Sequence, residues 1–195
     1  MGILDIIKGS GLRAPSRVRH NGKRVSEILE AHQRFVRGDE TGTRADFSGG
    51  DLSHVDFRRV NLAYADFRGA NLDGANLREA RLSSADLGNA HMRKADLRKV
   101  DLTEANLSAA DLTEALVGGA ELFRADLRSA ILRGADLGAA NLRDAQVSGA
   151  DFRGARLQTT ILRETKLDGA NLSGVDLSTT LLPRDYKPSF TKKSE

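Results

Sequence analysis

The chain has no cysteine and no tryptophan, three prolines, two tyrosines and seven phenylalanines among 195 residues. Without cysteine, disulfides and thiolate metal sites are excluded. No apolar run approaches the ~20 residues that a membrane-spanning helix needs. The opening stretch, Met1-Gly2-Ile3-Leu4-Asp5-Ile6-Ile7-Lys8, is apolar but soon interrupted by charge, which makes a poor secretory leader. Ile6 stands where a myristoylation signal wants Ser or Thr. The expected location is cytoplasmic. Charge of one sign is also scarce overall, at a net +3, but it is unevenly spread. Residues 1–44 are net +4, residues 45–182 net −3 and residues 183–195 net +2, so a faintly acidic middle has basic ends.

What the chain does have is a period. From Phe47 to Leu182 a large apolar residue returns at every fifth position, twenty-eight times in succession, with Met92, Val117 and Val147 the only ones that are not Leu or Phe. Two residues before each stands a small one. It is Ala in most repeats; the variants are Gly50, Val55, Val60, Val100, Thr160, Thr165, Val175 and Thr180. Between the two sits Asp or Asn in most repeats. A helix turns about 100° per residue, so a five-residue step would scatter these side chains around its axis. A straight strand alternates sides, and five is odd, so successive leucines would face opposite ways. Only a chain that turns at every repeat keeps them all inside. Stacked turns then make a solenoid in which no repeat buries its core alone.

The pattern Ala-(Asp/Asn)-Leu-x-x, as in Ala70-Asn71-Leu72-Asp73-Gly74 and Ala125-Asp126-Leu127-Arg128-Ser129, resembles that of the pentapeptide-repeat proteins over residues 43–182. The resemblance implies an all-β solenoid: a right-handed quadrilateral parallel β-helix with four repeats per coil and about seven coils. At a strand spacing of roughly 4.8 Å the rod would be about 34 Å long.

The ends divide the rest. Residues 1–24 read as a flexible basic arm: Ile3–Ile7 is a short apolar segment, and Arg13, Arg17, Arg19, Lys23 and Arg24 follow without an acid among them. Pro15 and Gly22 break any helix there. No aromatic is interleaved for base stacking, so nucleic acid is not an expected partner. An anionic membrane surface is the sharper reading of this arm. Residues 25–42 read as a capping helix and turn. Val25, Ile28, Leu29, His32 and Val36 fall at helical spacing with Phe35 beside them, and Gly38 stops the run. The helix would form an N-terminal α-helical cap on the first coil, with His32 packed rather than ligating. Residues 183–195 read as a polar basic tail whose aromatics are Tyr186 and Phe190. The last coil needs a cover, supplied either by this tail or by end-to-end pairing in a homodimer.

Residues twenty apart should stack on one side of the rod. Arg58, Arg78 and Arg98 then stand in line with Arg59 and Lys99 beside them and Asp56, Glu79 and Asp96 near. Local ion pairs are the plain expectation; a basic ladder for an acidic partner is the functional one. Leu116, Phe123, Ile131, Ile161 and Leu181 should face outward, as a candidate contact patch in the C-terminal half. The glycines Gly134, Gly138, Gly149, Gly154, Gly169 and Gly174 fall in turns.

No catalytic, cofactor or metal site is expected. The aspartates form a repeating array, the reverse of a carboxylate pair in two different environments. Asp51, His91 and Asp111 would stack on one side without any recognisable metal spacing. The favoured function is a non-enzymatic scaffold for an unidentified protein partner. Some members of the resembled family imitate DNA, bind type II topoisomerases such as gyrase and protect them. They present a strongly acidic surface and dimerise through a C-terminal aromatic helix, and this sequence departs on both counts. Association with a membrane surface or cytoskeletal filament through residues 1–24 is the third reading.

Overall fold

The structure, a computed structural model, describes residues 11–187. Its skeleton is four ladders of parallel bridges between residues twenty apart. One runs Asp46, Asp66, Asp86, Asn106, Asp126, Gln146, Lys166; the second starts at Asp51, the third at Asp56 and the fourth at Asn61. Four ladders and a twenty-residue step mean that each repeat supplies one side of a four-sided rod. Each rung is tied twice to the coil above. Leu112 N–H donates to the Ile131 carbonyl at 2.7 Å, and Glu114 N–H to that of Arg133 at 2.9 Å.

The corner between sides is a β-turn closed within the repeat: Gly50 N–H donates to the Phe47 carbonyl at 3.0 Å, and Ala110 to Leu107 at 3.1 Å. The residue two after each core leucine has positive φ from Gly49 through Gly174, whether glycine or not. A positive φ at the second central residue alone makes these type II turns. Gly138, expected among the turn glycines, sits one position earlier and lacks it; Tyr64 at 67° and Thr159 at 56° have it despite their side chains.

The Asp or Asn of each repeat has a mechanical task. Its Oδ1 accepts the backbone N–H two residues on: Ser48 to Asp46 at 3.0 Å, Ser108 to Asn106 at 3.0 Å, Arg128 to Asp126 at 3.0 Å. This side-chain turn satisfies an N–H that the ladder leaves over, and both residue types supply the acceptor. Inside, the leucine and alanine columns are fully buried through the middle of the rod. Phe47, Phe57 and Phe67 fill the N-terminal end, with Phe47 stacked on Phe67 at 5.0 Å between centroids. Thr160, Thr165 and Thr180 replace alanine near the other end. Their buried hydroxyls donate to the carbonyls of Leu137, Leu142 and Leu157.

Residues 11–24 are not the flexible arm that their charge suggests. Arg13 adds a rung beneath the first coil: its N–H donates to the His54 carbonyl, and its carbonyl accepts from Asp56 at 3.0 Å. A 3-10 turn, Pro15–Arg17, leads to a hairpin of β1, Arg19–His20, and β2, Lys23–Arg24. Asn21 (φ 48°) and Gly22 (φ 79°) make its two-residue turn, both left-handed as a type I′ turn requires. Val18 and Val25 are buried in the core. The basic side chains ride on a folded segment because its backbone satisfies an open coil edge. The apolar segment Ile3–Ile7 lies outside the described residues.

α1 spans Val25–Val36. Glu27 Oε2 accepts the Arg24 N–H at 2.9 Å at its start. At its end Asp39 N–H reaches the Arg34 carbonyl and Gly38 N–H that of Phe35, with Gly38 at φ 78°, a Schellman close. Val25, Leu29 and His32 of the expected stripe are buried against the first coil; Phe35 and Val36 are not. His32 is packed, and its Nδ1 accepts the Ala45 N–H at 3.0 Å where the chain enters the rod.

The other end is looser. Leu167, Leu172, Val175, Leu177 and Leu182 are only partly buried, and Pro183–Lys187 runs beside them.

Candidate interaction surfaces

The rod's charges are organised by the turn. Where Arg follows Asp by two residues, the same carboxylate that takes the Arg backbone N–H also takes its guanidinium fork. Arg58 Nε lies 2.9 Å from Asp56 Oδ1 and its Nη2 2.6 Å from Oδ2. The same fork forms at Asp66–Arg68, Asp96–Arg98, Asp126–Arg128 and Asp151–Arg153. Bidentate geometry of this kind favours both charged forms. The Arg68 fork holds the Asp66 carboxyl below its ordinary value. Burial works to raise the Asp96 carboxyl, yet the Arg98 fork and N–H outweigh it. At Asp151 the Arg153 fork, with Arg133 assisting against burial, pulls the carboxyl far down.

The basic ladder is real as a geometric object. Arg58, Arg78 and Arg98 each follow a member of the third ladder, Asp56, Asn76 and Asp96, and so stack on one side. Arg58 and Arg98 are tied down by their forks. Arg78 has Asn76 in place of an acid and turns to Glu79 Oε1 at 3.3 Å, while Arg59 reaches Glu79 Oε2 at 2.7 Å with its side chain 79% exposed. Farther along this side lie the half-buried Leu116, the small residues Gly118, Gly119, Gly138 and Ala139, and the ion pair of Asp136 with Arg156 at 2.6 Å.

The outward apolar residues do not form one patch. Ile131 belongs to the second ladder, Leu116 to the third, and Ile161 and Leu181 to the fourth. Phe123 is on the fourth side too, but its ring is covered by the guanidinium carbons of Arg124 at 4.7 Å and Arg143 at 5.0 Å. Only Leu181 of these is exposed; among the described residues Phe35 and Tyr64 are the other exposed large apolar side chains. Tyr64 could have been found, since it occupies a turn position where most repeats have a small or charged residue. Tyr186 is half-buried at the C-terminal end. Phe190 lies outside the described residues.

Asp51 and Asp111 do share a ladder with His91: Asp111 is its direct neighbour, and Asn71 stands between it and Asp51. Each acid is already engaged: Asp51 by Ser53 and Arg13, Asp111 by Thr113 and by Arg93 at 2.6 Å. No His/Asp/Glu cluster suited to a metal occurs among the described residues. No helix there is long and apolar enough to cross a membrane.

HetL, a pentapeptide repeat protein involved in heterocyst differentiation regulation in the cyanobacterium Nostoc sp. strain PCC 7120, is 26% identical. The match covers 79% of this chain and 98% of HetL with a TM-score of 0.36. The pentapeptide repeat protein alr5209 from Nostoc PCC 7120 is 35% identical over 55% of this chain and 77% of its own, with a TM-score of 0.30. Full-length QnrB1, a plasmid-mediated fluoroquinolone resistance protein, is 18% identical over 69% of this chain and 84% of its own, with a TM-score of 0.28. No curated protein matches. The Pentapeptide repeats family itself matches residues 43–79, 80–117, 120–158 and 148–182 in eight copies. Its members fold as right-handed quadrilateral β-helices, the path that the four ladders trace. With its repeats matched from residue 43 to residue 182, the chain belongs to the Pentapeptide repeats family.

Proposed function

We propose that the chain is a non-enzymatic protein-interaction rod of seven coils, capped at its N-terminal end by α1, acting in the cytoplasm. Its third side would dock an acidic face of a protein partner. The observation that carries this reading is the stacking of Arg58, Arg59, Arg78, Arg98 and Lys99 on one rigid column, against the acids Asp56, Glu79 and Asp96 with Asp136 farther along the same side. Rigid stacking presents these cations without the ordering cost that a loop would incur on binding. Their complementarity to an acidic partner would set on-rate and specificity more than affinity.

The test is capture from native lysate by wild type and by the double variant Arg59→Glu, Lys99→Glu. Both side chains stand at turn positions away from the core, so the fold should persist by circular dichroism. Loss of an acidic protein that wild type retains, with retention weakening as salt rises, supports the reading. An unchanged set of captured proteins refutes it. A DNA-mimicking, topoisomerase-binding rod fits these sides less well, because the carboxylates of Asp66, Asp96, Asp126 and Asp151 are each neutralised by an arginine fork. Gyrase supercoiling should therefore be unaffected by the protein.

A further inference from the structure

The hairpin β1–β2 carries charge that packing does not require. In its register His20 faces Lys23, and Arg19 faces Arg24. His20 is buried and seats the hairpin on the rod. A Cβ at Gly50 would lie 2.5 Å from the His20 Nδ1, so glycine stands there, where most repeats have alanine, and leaves room for the ring. Side chains alternate along a strand, so Arg19 and Arg24 point the other way, outward, and both are exposed. One rung along, Val25 N–H donates to the Val18 carbonyl at 2.9 Å. Arg19 and Arg24 are then the non-hydrogen-bonded pair, with Cα atoms about 4.5 Å apart. Like charges directly opposed cost stability. Arg19 Nη1 donates to the Gly22 carbonyl at 2.8 Å, which holds one guanidinium at the hairpin's tip. Arg17 and Lys23 are exposed as well. Among the described residues none of these four cations forms an ion pair, in contrast with the forked arginines of the rod. The nearby acids have other partners: Glu27 takes the Arg24 backbone N–H, Asp46 takes Ser48 and Asp51 pairs with Arg13. Glu30 lies about one helical turn farther along α1.

We propose that this hairpin is a foot for an anionic lipid surface, with the Arg19–Arg24 pair clasping headgroup phosphates and Arg17 and Lys23 adding to the attraction. Guanidinium forks match phosphate oxygens, and a phosphate held between the two turns their repulsion into a bridge. The make-up of the surface favours this occupant. Besides the four cations, the exposed residues of 16–24 are Ser16, Asn21 and Gly22. A protein partner would need an apolar or aromatic anchor there, and a nucleic-acid strand a ring for its bases to stack on. A charged bilayer needs neither. Each cation near such a surface contributes about fivefold in partitioning, so the four together give on the order of several hundredfold. Because the hairpin is folded onto the core through Val18, His20 and Val25, its cations are presented without an ordering cost.

The test is co-sedimentation of the full chain with vesicles of phosphatidylcholine alone and of phosphatidylcholine with about a third phosphatidylserine. The expected result is pelleting with the anionic vesicles only, lost at high salt. Arg19→Gln with Arg24→Gln should weaken it about 25-fold, two cations at fivefold each. Arg17→Gln with Lys23→Gln removes no side-chain hydrogen bond of the fold and should weaken it by a similar factor, so a folding defect cannot account for the loss. Arg59→Gln with Lys99→Gln, on the rod's third side, should pellet as wild type does. No pelleting with the anionic vesicles, equal pelleting with both kinds, or pelleting undiminished in either hairpin variant overturns the proposal. So does an equal loss in the third-side variant, which would make net charge rather than the hairpin the cause. Binding of duplex DNA in place of vesicles, through the same four cations, overturns it too.

Discussion

Asp126 performs two tasks, and substitution can separate them. Its Oδ1 accepts the Arg128 backbone N–H at 3.0 Å, which fixes the turn; its two oxygens also accept the Arg128 fork, at 2.9 Å from Nε and 2.6 Å from Nη2. The Arg128 side chain is 58% exposed, so the ion pair belongs to the surface class, worth about 0.2–1 kcal/mol. The turn bond is a side-chain acceptor for a backbone donor, worth about 1 kcal/mol, as at a helix N-cap. Asp126→Asn keeps the turn acceptor and loses the charge, so it should cost about 0.5 kcal/mol. Asp126→Ala loses both and should cost about 1.5 kcal/mol. In an Arg128→Ala background the Asn substitution should cost almost nothing and the Ala substitution still about 1 kcal/mol. Chemical denaturation followed by far-ultraviolet circular dichroism measures all four, with unchanged slopes to exclude partial unfolding of the array. If Asn proves as costly as Ala, the ion pair rather than the turn governs this position, and the account of why Asp and Asn interchange along the ladders fails.

Three further outcomes follow from the same geometry. Ala95 is fully buried between Ala75 and Ala115 in its column, so Ala95→Phe has no room and should disorder the coils around it, lowering Tm by many degrees; a wild-type Tm refutes the packing. Thr159 holds φ 56° with a β-branched side chain, so Thr159→Gly should raise stability by about 0.5–1 kcal/mol after glycine's entropy is subtracted, and a loss would show that the turn is not strained there. On acidification two losses should appear in Tm. Burial, with Arg44 assisting and the Ala63 backbone opposing, holds His32 below its ordinary 6.5. The stability tied to its neutral form is complete above pH 6.5 and declines as pH falls below it. The depressed carboxylates, such as Asp66 and Asp126, keep their contribution down to about 3.8 and lose it below. A Tm that rises between pH 6.5 and 5, or one unaltered in this range by His32→Gln, would contradict the first loss.

Much of the fold was legible because burial repeats with the chain. Every fifth residue from Phe47 to Leu162 is interior, and the run Val25–Val36 with Gly38 after it is a helix with its cap. The hairpin's signal, Asn21-Gly22, stands among the arginines of residues 13–24, whose charge reads as a solvated arm while the turn chemistry specifies a type I′ hairpin. Positive φ at Tyr64, Glu79 or Thr159 was not legible at all: stacking imposes that backbone from above and below, whatever the side chain. The outward apolar residues fall on three sides, Ile131 on the second, Leu116 on the third and Phe123, Ile161 and Leu181 on the fourth, because a residue's side is set by its remainder on division by twenty and not by nearness along the sequence. The forks, in contrast, could be read from Asp-Phe-Arg and Asp-Leu-Arg, since residues two apart on an extended segment point the same way.

The claim beneath all of this is that the backbone climbs one strand spacing, about 4.8 Å, for every twenty residues. Because the chain has no cysteine, spin labels can be attached at pairs of introduced cysteines on the first ladder's side, Ser48 with Ser148 and Ser48 with Asp168. Double electron–electron resonance should give backbone separations of about 24 Å and about 29 Å, a difference of one coil. Distances that fail to grow by one strand spacing between the two pairs, or that are several times longer, would contradict the account.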